Sequence, residues 1–231
     1  MKKNKILKYW NNDETYPKLI SSKNHIPDWY KDAKDVSKSA KNIKVLPLSL
    51  NFKACSPFLE ALTSGYSICL PVDIAVKQTE GGPSITWSGS DVQYVSLREI
   101  DQNPNLPTPN GFSKNHFTWI TQLSIKIPKG YSVLYTHPLN RYDLPFLTLS
   151  GIVDGEFVLP PGNVPVFFSN TFEGLIPAGT PIAQLILFKT ENWKSKEDKT
   201  IYSDSITNQK LTSNVAVGWY KKNIWKRKSY E

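Results

Sequence analysis

His25, His116 and His137 are the three histidines of the sequence, and Cys55 and Cys69 its two cysteines. A zinc site draws such side chains in closely spaced pairs. No HxxxH or HxxEH spacing occurs, and the cysteines stand 14 positions apart. His137 and Asp143 come near one another in the string Thr-His-Pro-Leu-Asn-Arg-Tyr-Asp. A facial iron triad needs a His-x-Asp/Glu pair and a distant second histidine, and this spacing does not supply it. No metal site is expected. GxSxG, Walker and GxGxxG motifs are missing as well, so neither a nucleophile elbow nor a phosphate-cradling loop is expected.

Five side chains remain as candidates. Asp154 lies in Val-Asp-Gly-Glu, which reads as a turn cap or as a base that activates water. Arg141 faces a phosphate or pairs with Asp143, two positions on. Tyr66 stacks on a base or packs in the core. His137 sits beside Pro138 in the same string as Arg141. Gln184 interrupts the apolar run Pro181–Phe188. A buried amide without partners costs about 1–3 kcal/mol, so Gln184 is either hydrogen-bonded between strands or lines a pocket.

The elements that must position these residues are short strands. Val45–Phe52 and Ile120–Ile127 alternate apolar and polar residues, with Leu123, Ile125 and Ile127 on one face. Residues 79–91 and 101–115 are dense in turn formers. One short helix is expected around Pro57–Leu62 and another within 208–228, where Gly218 and β-branched residues weaken it. The texture is that of a β-sandwich or β-barrel, not a βαβ fold.

At 231 residues and 39% hydrophobic, the chain is long enough for a sizeable core. No apolar run reaches the roughly 18 residues of a membrane span. With no apolar stretch in its first residues and only two cysteines, a reducing, cytoplasmic setting is expected. The net charge of +8 is unevenly spread. Residues 1–45 hold 11 lysines and arginines against 5 acids, and residues 191–231 hold 9 against 5. Residues 46–190 hold 8 against 10. The organisation expected is a basic, aromatic-bearing arm over 1–44, a β-rich core over 45–190 and a basic extension over 191–231. Trp29 and Tyr30 would be costly to leave in water, so the first arm is expected to dock, on its own body rather than on a partner. The basic flanks suit contact with nucleotide or nucleic-acid phosphates, or are simply solvated surface.

The segment 128–188 resembles the dUTPase and dCTP deaminase superfamily, whose members have the β-clip fold. Ile176-Pro177-Ala178-Gly179-Thr180-Pro181-Ile182-Ala183-Gln184-Leu185 is similar to the family's closing strand. Thr136–Arg141 stands where the family has an RSSLAR-type motif, sharing Leu139 and Arg141. Asp154 follows Arg141 at the family's spacing, and Ser64–Pro71 resembles the AGYDL element, with Ser67 where an aspartate belongs. The resemblance implies an all-β, β-clip (dUTPase-like) barrel or sandwich and a homotrimer with arms crossing between subunits. It also implies a site in which Tyr66, His137, Arg141 and Gln184 bind ligand and Asp154 is catalytic.

The catalytic dressing departs from the family. Ser67 replaces an acid, His137 and Pro138 replace serines, and Val164 and Pro165 stand where a deaminase needs a glutamate. The expected function is therefore that of a non-catalytic dUTPase-like protein. It would bind a macromolecular partner or hold a nucleotide-type ligand, in a phage-associated structural or regulatory role, cytoplasmic or in a virion. The N-terminal arm resembles WYK-bearing arms of tailed-phage and bacterial proteins. The alternative is a magnesium-dependent deoxynucleotide pyrophosphatase with a remodelled site, in which Asp73, Asp143 or Glu156 replaces the lost acids. Magnesium is implied only in that case, and the cofactor is otherwise unknown.

Overall fold

The computed structural model describes residues 5–34, 52–98, 105–155, 158–214 and 230. Its strands, in chain order, are β1 (Lys8–Asn11), β2 (Ile20–Ser21), β3 (Tyr66–Cys69), β4 (Ile74–Thr79), β5 (Gly82–Trp87), β6 (Val95–Arg98), β7 (His116–Ile120) and β8 (Leu123–Lys126). They continue as β9 (Tyr131–Thr136), β10 (Phe146–Thr148), β11 (Gly151–Asp154), β12 (Val158–Leu159), β13 (Asn163–Phe168), β14 (Gly174–Ile176) and β15 (Pro181–Lys189). The α-helices are α1 (Asp28–Asp32), α2 (Ser56–Thr63) and α3 (Ile201–Asn214). The strands form four antiparallel sheets, ordered β11-β9-β15-β3-β2, β10-β13-β7-β6, β1-β8-β12 and β14-β4-β5. The chain is all-β in its body, as expected, and no helix among the described residues is long and apolar enough to cross a membrane.

The inner faces of these sheets share one core. Trp119 of β7 is fully buried against Phe146 and Phe168, at ring-centroid distances of 5.1 and 5.2 Å. Its indole N–H donates to Thr148 Oγ1, which in turn donates to the Ile182 carbonyl, so the buried donor is satisfied. Leu123, Ile125 and Ile127 all enter the core, as their alternation predicts. Along β15, Ile182, Ala183 and Leu185 are fully buried, with a register shift between Pro181 and Ala183. That bulge lets a strand opening on proline join the sheet.

Two glycines are fixed by geometry. Gly65 has φ +69°, and a Cβ there would lie 1.9 Å from the Leu185 carbonyl oxygen. Only a residue without a side chain lets the α2–β3 junction pack this close to β15. Gly179 (φ +81°) sits in the turn Pro177–Thr180, closed by the Thr180 N–H on the Pro177 carbonyl. Asp73 accepts from the Ala178 N–H in the same turn.

Two expectations need amendment. The N-terminal arm, expected from its polar, aromatic-punctuated sequence to be irregular, carries two strands: β1 extends the sheet of β8, and β2 pairs with β3. Backbone pairing thus draws the arm into the body wherever an edge strand offers free N–H and carbonyl groups. The C-terminal helix begins at Ile201, ahead of the expected 208–228, and Asp198 accepts from the Thr200 N–H and hydroxyl in a turn that leads into it. The expected helix beyond Asn214 and the strand Val45–Asn51 lie outside the described residues. By contrast, α2 falls where a helix was expected. The self-docking arm is also observed: Tyr30 is buried and stacks on Phe58 of α2, rings 6.0 Å apart and 7° from parallel.

Candidate functional sites on two faces of one sheet

The five-stranded sheet places the candidate residues, because side chains alternate between its faces. Register sets Gln184, Thr136 and Ser67 in one row, and Asp154, Ser132 and Phe188 in another, both on the outer face. Tyr66 pairs with Leu185 and so shares the inner, core-facing side with Tyr131, Val133 and Leu187.

On the outer face, Gln184 is 2% exposed and fully engaged. Its Oε1 accepts from the Leu139 N–H at 2.8 Å, and its Nε2 donates to the carbonyls of Ala61 and Ser64 at 2.9 and 2.5 Å. One amide thereby ties β15 to α2 and to the turn Pro138–Arg141. Asn140 adopts φ +61° in that turn, which is closed by the Arg141 N–H on the Pro138 carbonyl. His137 braces it. The Thr148 N–H donates to Nδ1, so the proton is on Nε2, which donates to the Arg141 carbonyl at 2.9 Å. Burial holds the imidazole below its usual pKa, against a smaller opposing pull from that hydrogen bond.

Arg141 is equally occupied. Its Nε and Nη2 both donate to the Asp143 carboxylate, with closest distances of 2.9 Å, and Nη1 donates to the His25 carbonyl. Burial raises the Asp143 pKa, but the hydrogen bonds and charge of Arg141, with a further one from Trp29, outweigh it and leave the carboxyl below its usual range. Of the two readings of Arg141, the geometry gives the Asp143 pair. His25 Nε2 lies 3.4 Å from Cys69 Sγ, a spacing at which a nucleophilic pair would be considered. Burial pushes that thiol up to about 12, so it carries no thiolate at neutral pH.

Asp154 stands at the other end of the same face. Thr190 donates to Ser132, and Ser132 donates to the Asp154 carboxylate at 2.5 Å. Ser132 and Thr136 are four positions apart along β9, which is roughly 13 Å in an extended strand. Within one chain, Asp154 and the Arg141 turn are therefore separate places. Of the acids named as replacements, Asp73 caps the Pro177–Thr180 turn and Asp143 holds Arg141, while Glu156 lies outside the described residues. Among the described residues no three His, Cys, Asp or Glu side chains gather to hold a metal ion.

The inner face ends in a cleft of about 560 Å³. Its walls are Tyr9, Tyr66, Tyr131 and Tyr230, with Lys5 at the rim. Leu7, Leu19 and Leu187 form its floor, continuous with the core. The Lys5 ammonium lies 4.1 Å from the centre of the Tyr131 ring, a cation–π contact. Tyr230 meets Tyr66 edge to face, centroids 5.9 Å apart and 82° between planes. Of the residues nominated from sequence, only Tyr66 belongs here. The others come from separate segments with no shared motif; the one signal for them is that both basic flanks also carry aromatic residues.

No family model and no curated protein matches this chain. Solved dUTPase structures do. The enzyme of phage phi11 of S. aureus aligns at 12% identity over 84% of this chain and 97% of its own, with a TM-score of 0.38. That of Staphylococcus bacteriophage 80alpha, with dUpNHpp, aligns at 12% over 85% and 89%, also at 0.38. The EIAV dUTPase aligns at 16% over 59% and 84%, at 0.31. The likeness is to a dUTPase-like, all-β fold. At these identities and scores it carries nothing about activity, which has to be read from the residues.

Proposed function

We propose that this chain is a non-catalytic, dUTPase-like binding protein that holds a nucleotide-type ligand, a flat aromatic ring bearing negative charge, in the Tyr66 cleft. The observation that carries this reading is the chemistry of the cleft walls: four tyrosine rings over an apolar floor, with one ammonium at the rim. Aromatic faces take a planar heterocycle by offset stacking or edge contact, about 0.5–1.5 kcal/mol per pair beyond the area buried. Lys5 then meets the negative charge. A volume of about 560 Å³ suits a ligand of this size.

The outer face supports the non-catalytic half of the reading. General-base hydrolysis of a phosphate ester needs a base within reach of a water and cations on the leaving oxygens. Asp154 accepts from Ser132 at one end of β9, whereas Arg141 is neutralised by Asp143 beyond the other. Among the described residues nothing brings them together within one chain.

Thermal denaturation against nucleotides with magnesium tests the proposal. A ligand at 100 times its Kd stabilises by about 2.7 kcal/mol, which at this size raises Tm by roughly 5–11 °C. The shift should be lost in Tyr66→Ala, and no pyrophosphate should be released. No shift with any nucleotide would remove the ligand reading. Release of pyrophosphate would install the magnesium-dependent pyrophosphatase in its place.

A further inference from the structure

The cleft already holds a cation of its own. Lys5 and Tyr131 both line it, and the Lys5 ammonium lies 4.1 Å from the centre of the Tyr131 ring. A second ring packed on that tyrosine would have its centroid about 4.5–7 Å away, so the ammonium and a stacked base need the same seat. We infer that Lys5 is the specificity-determining residue of the cleft: it covers the Tyr131 ring against neutral nucleosides and yields it to a nucleotide, whose phosphate it then holds. The inference rests on the reading of the cleft given above and adds the ligand class, phosphorylated nucleosides to the exclusion of uncharged ones.

The other rings make Tyr131 the seat that matters. Tyr66 and Tyr230 are turned on each other, the edge of one against the face of its neighbour. Tyr9 is 36% exposed, whereas Tyr131 packs against the core. The deeper platform is therefore the one that Lys5 covers. Lifting Lys5 forfeits a cation–π contact, which at an exposed site is a factor of about two to five in affinity. A neutral nucleoside gives the displaced ammonium nothing in return. A phosphate ester gives it charged oxygens, and a charge-assisted hydrogen bond of this kind is worth about tenfold or more. The cost of displacement is common to both ligands and cancels in their ratio, so it shows only in the nucleoside taken by itself. Lysine suits both positions, as a point charge on a flexible four-carbon stem. Lys5 also stands ahead of β1, outside its backbone pairing, which leaves the side chain room to move between ring and phosphate.

Calorimetric titration of the full chain would compare deoxynucleosides of adenine, cytosine, guanine, thymine and uracil with their mono- and triphosphates. The proteins are the wild type, Lys5→Ala and Lys5→Arg. Lys5 is exposed, so the chain should fold in both variants. The wild type should bind its best phosphate ester at least about tenfold tighter than the parent nucleoside. In Lys5→Ala that nucleoside should bind about two- to fivefold tighter than in the wild type. The phosphate ester should weaken in the same variant, and the preference between the two should fall by about tenfold or more. Lys5→Arg keeps both the charge and the ring contact and should retain the preference.

A nucleoside that binds Lys5→Ala no better than the wild type overturns the inference, since Lys5 would then only attract charge or brace the wall. Equal affinity of nucleoside and phosphate ester in the wild type overturns it too, and leaves a cleft that seats the ring alone. If phosphate esters bind the wild type but the nucleoside gains nothing from Lys5→Ala, the proposed function stands without this inference. If no nucleotide binds the wild type, both fail.

Discussion

The two faces of the five-stranded sheet spend their polar groups in opposite ways. On the outer face and in the turn that follows β9, Gln184, His137 and Arg141 have donors and acceptors directed at named partners inside the chain. On the inner face, the mouth of the core sets tyrosine rings and one ammonium around open volume. A residue of the right type at the right spacing is thus no guide to chemistry until its partners are counted. The polar outer residues are the mortar of the fold. The apolar inner ones leave room for something else.

Breaking the mortar should cost stability without touching the cleft. Gln184→Ala leaves the Leu139 N–H and the carbonyls of Ala61 and Ser64 unpaired in a buried setting. Each such orphan costs about 1–3 kcal/mol before relaxation, so a total of about 3 kcal/mol or more is expected. Tm should drop by roughly 6–12 °C, while the folded fraction keeps its affinity for nucleotide. Equal losses in stability and affinity would mean that the faces are not independent.

Acid should act next most strongly, and through the histidines. Burial lowers the native pKa of His137, and likewise those of His25 and His116, each with Arg141 or Arg98 nearby adding to the shift. The unfolded chain, with pKa near 6.5, then binds the proton more readily than the native one. Stability contributed this way is complete above about pH 6.5 and is lost as pH falls from there toward the lowered native values. For the well-buried His137 the loss is at most about 1.4 kcal/mol per pH unit, and for the more exposed His25 less. Tm should fall between pH 7.5 and 5.5, and His137→Gln should flatten the fall. A flat profile in the wild type would contradict the hydrogen-bonded, neutral imidazole.

How legible each face was in the sequence follows from the same contrast. The alternation of Leu123, Ile125 and Ile127, the α2 helix and the Gly179 turn are local, and short-range spacing reveals them. The closing strand with Gln184 was legible as a framework element because a lone amide in an apolar strand has to find partners. The cleft was not. Lys5, Tyr9, Tyr131 and Tyr230 share no motif, and the closure of β1 onto β8, which brings the segment of Tyr9 beside that leading to Tyr131, is a long-range pairing. Likewise, whether Arg141 looked outward or toward Asp143 depended on the turn set by Asn140 at positive φ, and residue type alone did not decide it.

Arg141→Ala separates the faces more finely. The ion pair with Asp143 is only partly shielded, with side-chain exposures of 13% and 37%, so solvent screening limits its worth to about 1 kcal/mol. Chemical denaturation should register a loss of that order. Nucleotide affinity, measured by calorimetry at two salt concentrations, should not change. An Arg141 that gripped phosphate would instead lose affinity steeply and keep most of its stability.

The smallest effect is expected at Asp154, and it is the sharpest test of the non-catalytic reading. The residue is exposed at the end of β11, and its carboxylate accepts a hydrogen bond from Ser132. Asparagine keeps an oxygen for that hydroxyl, so Asp154→Asn removes a charge and little else. Stability should stay within about 0.5 kcal/mol of the wild type, as for most surface changes, and nucleotide affinity should be unaltered. A base that activates water would behave differently, since losing its proton-accepting function typically costs about 10²–10⁴ in rate. If the wild type slowly released pyrophosphate from dUTP and the variant did not, Asp154 would be catalytic. The outer face would then hold a working site completed from beyond one chain, and the contrast between the two faces would have to be redrawn.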